Sequence, residues 1–256
     1  MYPMALFEEG GYRYLPSVFQ YSAGIAAEPG FQLVQARFKT LLPIDQAFVC
    51  IEQHLKAIGR PLTAFAHCEL RSPRQFDDQG FIDFNRKYVG TLERWGIYHE
   101  PSSGIKFINP VARTNVCPEY FGPSEVEMYA FTYTVPASLG APPSFVISGG
   151  GDARSGPEPY RDRIVAYGDV SKAGLKIKME FVLHEMIQRV ESLGFKWSDV
   201  TGVQAYSVHN IGSLVEEVFA KKGYLRCGIH WHFARPPVAG LDFEMDVRGS
   251  VNQIFI

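Results

Sequence analysis

Apolar residues along this chain recur at two different spacings, and the alternation between them predicts its elements. Ile44, Phe48, Ile51, Leu55 and Ile58 return at three- and four-residue steps, so they share one helix face. Pro43 stands ahead of that helix, Gly59 is placed to end it, and Pro61 follows. Phe81, Phe84, Tyr88, Leu92 and Trp95 predict a second helix closed by Gly96. Met179, Val182, Met186, Val190 and Leu193 predict a long third one ended by Gly194, and Leu214, Val218 and Phe219 a short fourth near Gly223. Shorter runs read as strands over 17–24, 62–70, 126–135, 145–148, 199–208, 226–233 and 241–247. One further strand lies in 109–118, where alternation places Val111 and Arg113 on one face and Ala112 and Thr114 on the other. Loops are expected at 71–74, 101–104 and 122–124, and a polar segment over 152–174.

The order strand, helix, strand, helix, strand, strand thus occurs twice. Residues 136–143, rich in proline and glycine, separate the two runs. The fold class expected is α+β: two tandem units, each a mixed β-sheet with two helices on one face, at 1–135 and 144–256 with a linker over 136–143. Gly59 pairs with Gly194, and Arg113 with Arg226, at unequal offsets, so the repeat is one of pattern. A single larger α/β domain is the competing reading.

Composition narrows the function. The chain has 256 residues, 46% of them hydrophobic, with 25 Lys and Arg against 27 Asp and Glu. Nothing in that balance favours nucleic acid or an anionic membrane, and no apolar run has the length of a span. The first residues do not read as a signal peptide. Cys50, Cys68, Cys117 and Cys227 lie far apart with no C-x-x-C spacing, which suits a reduced, cytoplasmic protein with core cysteines.

The chemistry centres on Arg113. A guanidinium is planar, permanently charged and forked, and grips a carboxylate with two parallel hydrogen bonds. The other reading of this residue is an ordinary ion pair. Glu125 and Glu127 follow Arg113, as Asp242 and Glu244 follow Arg226, at distances that let an acid lie on a neighbouring antiparallel strand. One arginine and one carboxylate make a kit for a carboxylate substrate that needs proton transfer. Asn85 starts the polar side of the second helix, as a cap or a ligand contact. His230 and His232 share a strand face without a third ligand, so no metal is expected. Gly149–Gly151 lacks the spacing of a dinucleotide loop, and Ser148 lacks a nucleophile's G-x-S-x-G context.

The run Pro110-Val111-Ala112-Arg113-Thr114-Asn115-Val116, with Asn85-Arg86-Lys87-Tyr88 upstream, resembles the arginine motif and preceding helix of the Rid (YjgF-like) enamine/imine deaminases. Ile147-Ser148-Gly149-Gly150, Leu225-Arg226-Cys227 and Leu241-Asp242-Phe243-Glu244 resemble a second copy. The two-copy form looks like the two-domain 2-aminomuconate and 2-amino-5-chloromuconate deaminases. The resemblance implies chorismate-mutase-like (Rid-type) units. It also implies hydrolytic release of ammonia from a 2-enamine or 2-imine dicarboxylic acid, with no cofactor and no metal. It implies substrate contacts at Arg113, Thr114, Asn85, Arg226, Ser148 and Gly149, and acid/base work by Glu127, Glu125 or Asp242. Ala23-Gly24 stands where the first unit would have its serine-glycine strand end, and Gly212 where the second would have its asparagine. Each half therefore departs from the pattern, and composite sites where the halves meet are one resolution. A homotrimer of two-domain chains is implied. A second carboxylate would need another cation, for which Arg226, Arg154 and Arg161 are candidates. The rival functions are a chorismate hydrolase on a tandem Rid-like scaffold and a non-catalytic small-acid-binding protein.

Overall fold

The computed structural model describes residues 2–99 and 109–256. The loop expected at 101–104 lies outside the described residues. In chain order the strands and helices are β1 (Ala5–Phe7), β2 (Tyr12–Tyr14), β3 (Gly24–Ala27), β4 (Phe31–Pro43), α1 (Ile44–Ala57), β5 (Phe65–Arg71), α2 (Asp78–Arg94), β6 (Ala112–Pro118), β7 (Glu127–Pro136), β8 (Phe145–Gly151), α3 (Tyr160–Arg163), α4 (Lys172–Ser192), β9 (Gly202–Tyr206), α5 (Gly212–Val218), β10 (His230–His232), β11 (Ala234–Arg235), β12 (Glu244–Arg248) and β13 (Asn252–Phe255).

The helices form where periodicity places them. Ile44, Phe48, Ile51 and Leu55 of α1 are buried against the first sheet, while Ile58, just past the helix end, is half exposed. Asp77 caps α2 by accepting from the Gly80 N–H at 2.7 Å, and Ser171 caps α4 by accepting from the Gly174 N–H at 3.2 Å. Gly59 and Gly194 both take left-handed backbone just past their helices (φ 70° and 89°), where a Cβ would be strained.

Two sheets result, with strand orders β11-β6-β5-β7-β4-β13 and β1-β2-β3-β8-β12-β9-β10. Within them the segments β4-β7-β5-β6 and β8-β12-β9-β10 have one topology. The last strand lies beside the first, and the two middle strands run parallel because a helix carries the chain between them. α1 and α2 bury the Phe48, Phe65, Tyr88 and Phe131 cluster on the first sheet, and α4 and α5 bury the Met179, Met186, Phe145 and Phe243 cluster on the second. This is the doubled α+β arrangement expected.

Three departures matter. The stretch 17–24 is not a strand: Val18 bridges to Tyr21 across a tight turn, and β3 begins only at Gly24. The strand that opens the first unit is β4, whose alternating Leu33, Gln35, Arg37 and Val34, Ala36, Phe38 supply two faces. The 226–233 strand shrinks to His230–His232, because Gly228 takes left-handed backbone (φ 77°) in a turn that also holds Arg226. Sheet membership also crosses the linker. β3 pairs antiparallel with β8, and β13 pairs parallel with β4, so each end of the chain is built into the other half's sheet.

Of the cysteines, Cys68 and Cys117 are buried, and burial pushes both thiols up to about 12, whereas Cys227 is exposed. Among the described residues no helix is long and apolar enough to cross a membrane.

Candidate active site

The two sheets meet where β6 packs beside β8. Ser22 stitches them together: its N–H donates to Val111 O at 2.9 Å, and its own carbonyl accepts from Ser148 Oγ at 2.6 Å. Ser148 Oγ in turn accepts from the Arg113 N–H at 3.1 Å. Ser148 is thus a clasp that fixes the arginine's backbone.

Beside this seam lies a cavity of about 460 Å³, within the range of small-molecule sites. Arg113, Asn115, Tyr21 and Phe81 line it from one half, and Gly149, Gly150, Arg189 and Glu244 from the other. Residues 153–160 and the turn at 17–21 close it over. The turn that broke the expected first strand is therefore a wall of the cavity.

Arg113 is 2% exposed, yet among the described residues neither terminal nitrogen of its guanidinium has a hydrogen-bond partner. Its charge rests among rings, 4.8 Å from the centroid of Tyr88 and 5.0 Å from that of Tyr21, with Phe81 and Phe84 slightly farther. An unpaired buried guanidinium is costly, so a missing anion is the economical explanation. Asn115, two residues on and on the same face, accepts from Ser72 Oγ at 2.9 Å and leaves its Nδ2 buried and unbonded. The cavity thus offers several unused donors.

Glu244 faces them. It is 4% exposed, and burial, reinforced by Asp246 and Asp152 and opposed by Arg113 and Arg189, holds its pKa well above the usual carboxylate range. That shift favours the protonated, proton-donating form of the acid. A Cβ at Gly149 would collide with this carboxylate, and one at Gly150 would stand 2.6 Å from Met186 Cε, so the glycine run leaves room for side chains from β12 and α4.

The other expected residues separate into supports and bystanders. Thr114 does not line the cavity; its Oγ1 donates to Asp246 at 3.0 Å and accepts from the Gly149 N–H at 3.2 Å, which sets the cavity floor. Asn85 is buried on α2 and donates to Phe81 O at 2.6 Å, outside the cavity lining. Asp242 is engaged by Lys178 at 3.1 Å and His209 at 3.0 Å. With Asp152, which meets the same lysine at 2.7 Å, it locks the base of the 152–165 segment. Glu125 is exposed and Glu127 half-buried, and neither reaches the cavity. Arg226 is exposed in its turn, so the pairing with Arg113 does not hold in space. His232 is occupied, with Nε2 2.8 Å from Gln204 Oε1 and its ring stacked on Tyr206.

Sequence reasoning placed Glu244 in the right strand, as one of four acids able to lie beside an arginine, but expected the acid/base role of Glu127, Glu125 or Asp242, and it quoted Asn115 only within the motif. Arg189 stood out in no motif. Its one signal was a cation on the inward side of α4, one turn after Glu185.

A doubled Rid-type scaffold, with a buried arginine and a buried acid of raised pKa in one cavity, defines the class. One fold-level likeness is to the solved structure of a chorismatase, 12% identical, with a TM-score of 0.54 over 89% of this chain and 77% of that one. A weaker one, at 16% identity and a TM-score of 0.29, is to a YjgF/YER057c/UK114 family protein from Mycobacterium tuberculosis, over 42% of this chain and 79% of that one. The family model described as 2-aminomuconate deaminase CnbZ matches residues 4–254. A 2-amino-5-chloromuconate deaminase from Comamonas testosteroni is 56% identical over 249 residues, 97% of each chain. The chain belongs to the CnbZ 2-aminomuconate deaminase family, whose members act on a C–N bond.

Proposed function

We propose that this protein hydrolytically deaminates a 2-amino dicarboxylic acid of the 2-aminomuconate or 2-amino-5-chloromuconate type, in the degradation of aromatic compounds. The observation that carries this reading is Arg113, buried and without a hydrogen-bond partner for its terminal nitrogens among the described residues, in one cavity with Glu244, whose pKa burial raises. Family membership supports the substrate class.

In this mechanism Arg113 takes the carboxylate next to the C–N carbon through both terminal nitrogens. Glu244, placed over Gly149, gives a proton to the enamine carbon, which leaves the nitrogen as an iminium with both its protons, and its carboxylate then accepts a proton from the attacking water. Water adds to the iminium carbon, the new hydroxyl passes its proton to nitrogen as the C–N bond breaks, and ammonia leaves behind a 2-oxo acid. The balance is one water in and one ammonia out, so the step needs no oxidant or reductant, and in this reading it runs without a cofactor. Glu244 takes the acid/base role first expected of Glu127, Glu125 or Asp242.

The units 1–135 and 144–256 work as one body in this reading, since each gives the cavity residues the other lacks. Assembly as a trimer of two-domain chains in the cytoplasm completes it. The exposed aromatic surface of Tyr120, Phe121, Trp231 and Phe233 supports self-association, and light scattering of the purified protein measures it.

The test is ultraviolet monitoring of freshly generated 2-aminomuconate with a coupled ammonia assay. Substrate loss with one equivalent of ammonia is expected. Absence of ammonia, or pyruvate release from chorismate instead, overturns the deaminase reading.

A further inference from the structure

Anchoring one carboxylate leaves the far end of a dicarboxylate unaccounted for. Of the cations expected for it, Arg226 is exposed outside the cavity, and Arg161 lies over the Tyr167 ring at 5.3 Å. Arg154 lines the rim and is exposed. Arg163 lines the wall, but its Nε donates to Glu158 O at 2.7 Å, its Nη1 donates to Arg154 O at 2.9 Å, and its charge lies over Tyr160.

Arg189 differs from all of these. It projects from α4 against the bare backbone of Gly150, where a Cβ would stand 3.0 Å from its Nη1. Its side chain is 14% exposed, and among the described residues its buried Nε has no hydrogen-bond partner. What holds it is weak: Ser148 O at 3.4 Å, Glu185 at 4.0 Å and the Tyr2 ring at 5.7 Å. Glu185 is itself engaged by the Tyr2 hydroxyl at 2.6 Å. Arg189 thus shares with Arg113 a buried unbonded donor and a place in the cavity lining. Glu244 feels both charges, so it stands in the field of the two arginines.

We infer that Arg189 is the second carboxylate anchor, binding the distal carboxylate of a diacid whose proximal carboxylate is held by Arg113. The inference rests on the deaminase reading for its ligand class and adds the residue that selects diacids over monoacids. Gly150 belongs to the same device, because only a residue without a side chain lets the guanidinium lie along β8.

Equilibrium binding tests this without turnover. The full chain is titrated calorimetrically with cis,cis-hexadienedioate and with its monoacid counterpart 2,4-hexadienoate. Loss of charge-assisted hydrogen bonds is worth about 10- to 100-fold in affinity, so the wild type is expected to prefer the diacid by about 30-fold. In Arg189→Gln that ratio falls to about threefold or less, with monoacid affinity unchanged. A variant that keeps the wild-type ratio, or loses both ligands equally, overturns the assignment. If Arg189→Gln does not fold, Arg189→Lys decides: a single point charge on a shorter reach lowers the ratio about tenfold, and an unchanged ratio overturns the assignment. A wild type that deaminates without preferring the diacid sinks Arg189 alone. One that shows the preference but releases no ammonia keeps Arg189 and sinks the deaminase reading.

Discussion

Two arginines, Arg113 on β6 and Arg248 on β12, sit on facing sheets of one molecule and are treated in opposite ways. Arg248 is ion-paired through both terminal nitrogens: it donates to Glu69 at 3.0 Å and to Asp246 at 2.8 Å, and among the described residues its Nε alone is left without a partner. Gln35 completes Glu69, while Tyr206, Gln204 and Thr114 complete Asp246. Arg113, the more deeply buried of the two, has no hydrogen-bond partner for its terminal nitrogens among the described residues and lies between aromatic rings and the cavity. A protein that can surround one guanidinium with two acids and their supporting donors has the means to satisfy another. The difference marks Arg113 as reserved for an anion from outside, whereas Arg248 glues the sheets. Thr114 is the link, touching Asp246 on one side and the Gly149 N–H on the other.

Breaking this contrast at Arg113 has the largest expected effect. Arg113→Lys replaces a fork with a point charge and loses about two charge-assisted hydrogen bonds, so kcat/KM on 2-aminomuconate falls by at least ~10²-fold and up to ~10⁴-fold. The protein's melting temperature is not expected to rise, because one unpaired buried cation has replaced another. A wild-type kcat/KM in this variant refutes the anchor.

Glu244→Gln comes next. It keeps the shape and neutrality of the protonated acid but cannot exchange the proton, so kcat falls by about 10²- to 10⁴-fold. Binding of cis,cis-hexadienedioate, followed by titration, stays within a few fold of wild type. Loss of binding instead makes Glu244 an architectural residue.

Arg248→Met gives the mirror image. It strands Glu69 and Asp246 in the interior and costs about 3–5 kcal/mol of stability, read from urea midpoints. Small effects there, with large ones on turnover, would exchange the roles assigned to the two arginines.

Acidification sharpens the picture of the cluster. Burial lowers the His67 pKa to about 4, while the unfolded chain protonates near 6.5. Burial acts to raise Glu69, but Arg248 and Arg71 outweigh it and pull the carboxyl down to about 2. In both windows the unfolded chain binds more protons, so stability falls as pH falls. His67 contributes a loss of up to about 3 kcal/mol from about pH 6.5 toward 4, and Glu69 a further loss from about 4.5 toward 2. His67→Gln removes the first stage in a pH series of denaturation midpoints, and a profile unchanged by it contradicts the assignment.

The smallest effects are expected at the acids that do not reach the cavity. Glu125→Gln and Glu127→Gln change kcat/KM by less than about twofold. A hundredfold loss in either would move the acid/base role back to β7.

Periodicity by itself determined the four main helices, their closing glycines and the doubled order of elements, because each rests on neighbours three or four residues apart. The motif around Arg113 was legible for the same local reason. β4 escaped, since its alternation carries polar Gln35 and Arg37 on a face that only the second sheet buries. The swap of β1–β3 and β13 between halves was invisible, because nothing local says which edge a strand joins. The acid was decided by tertiary structure alone. Glu127, Glu125, Asp242 and Glu244 look alike along the chain, and only packing shows that Lys178 and His209 claim Asp242. Register along β8 and β12 then sets Glu244 opposite Gly151, and its carboxylate reaches over Gly149. A side chain's partner across a sheet seam is a long-range property, so burial, proton affinity and the presence of a second guanidinium at Arg189 are settled in three dimensions.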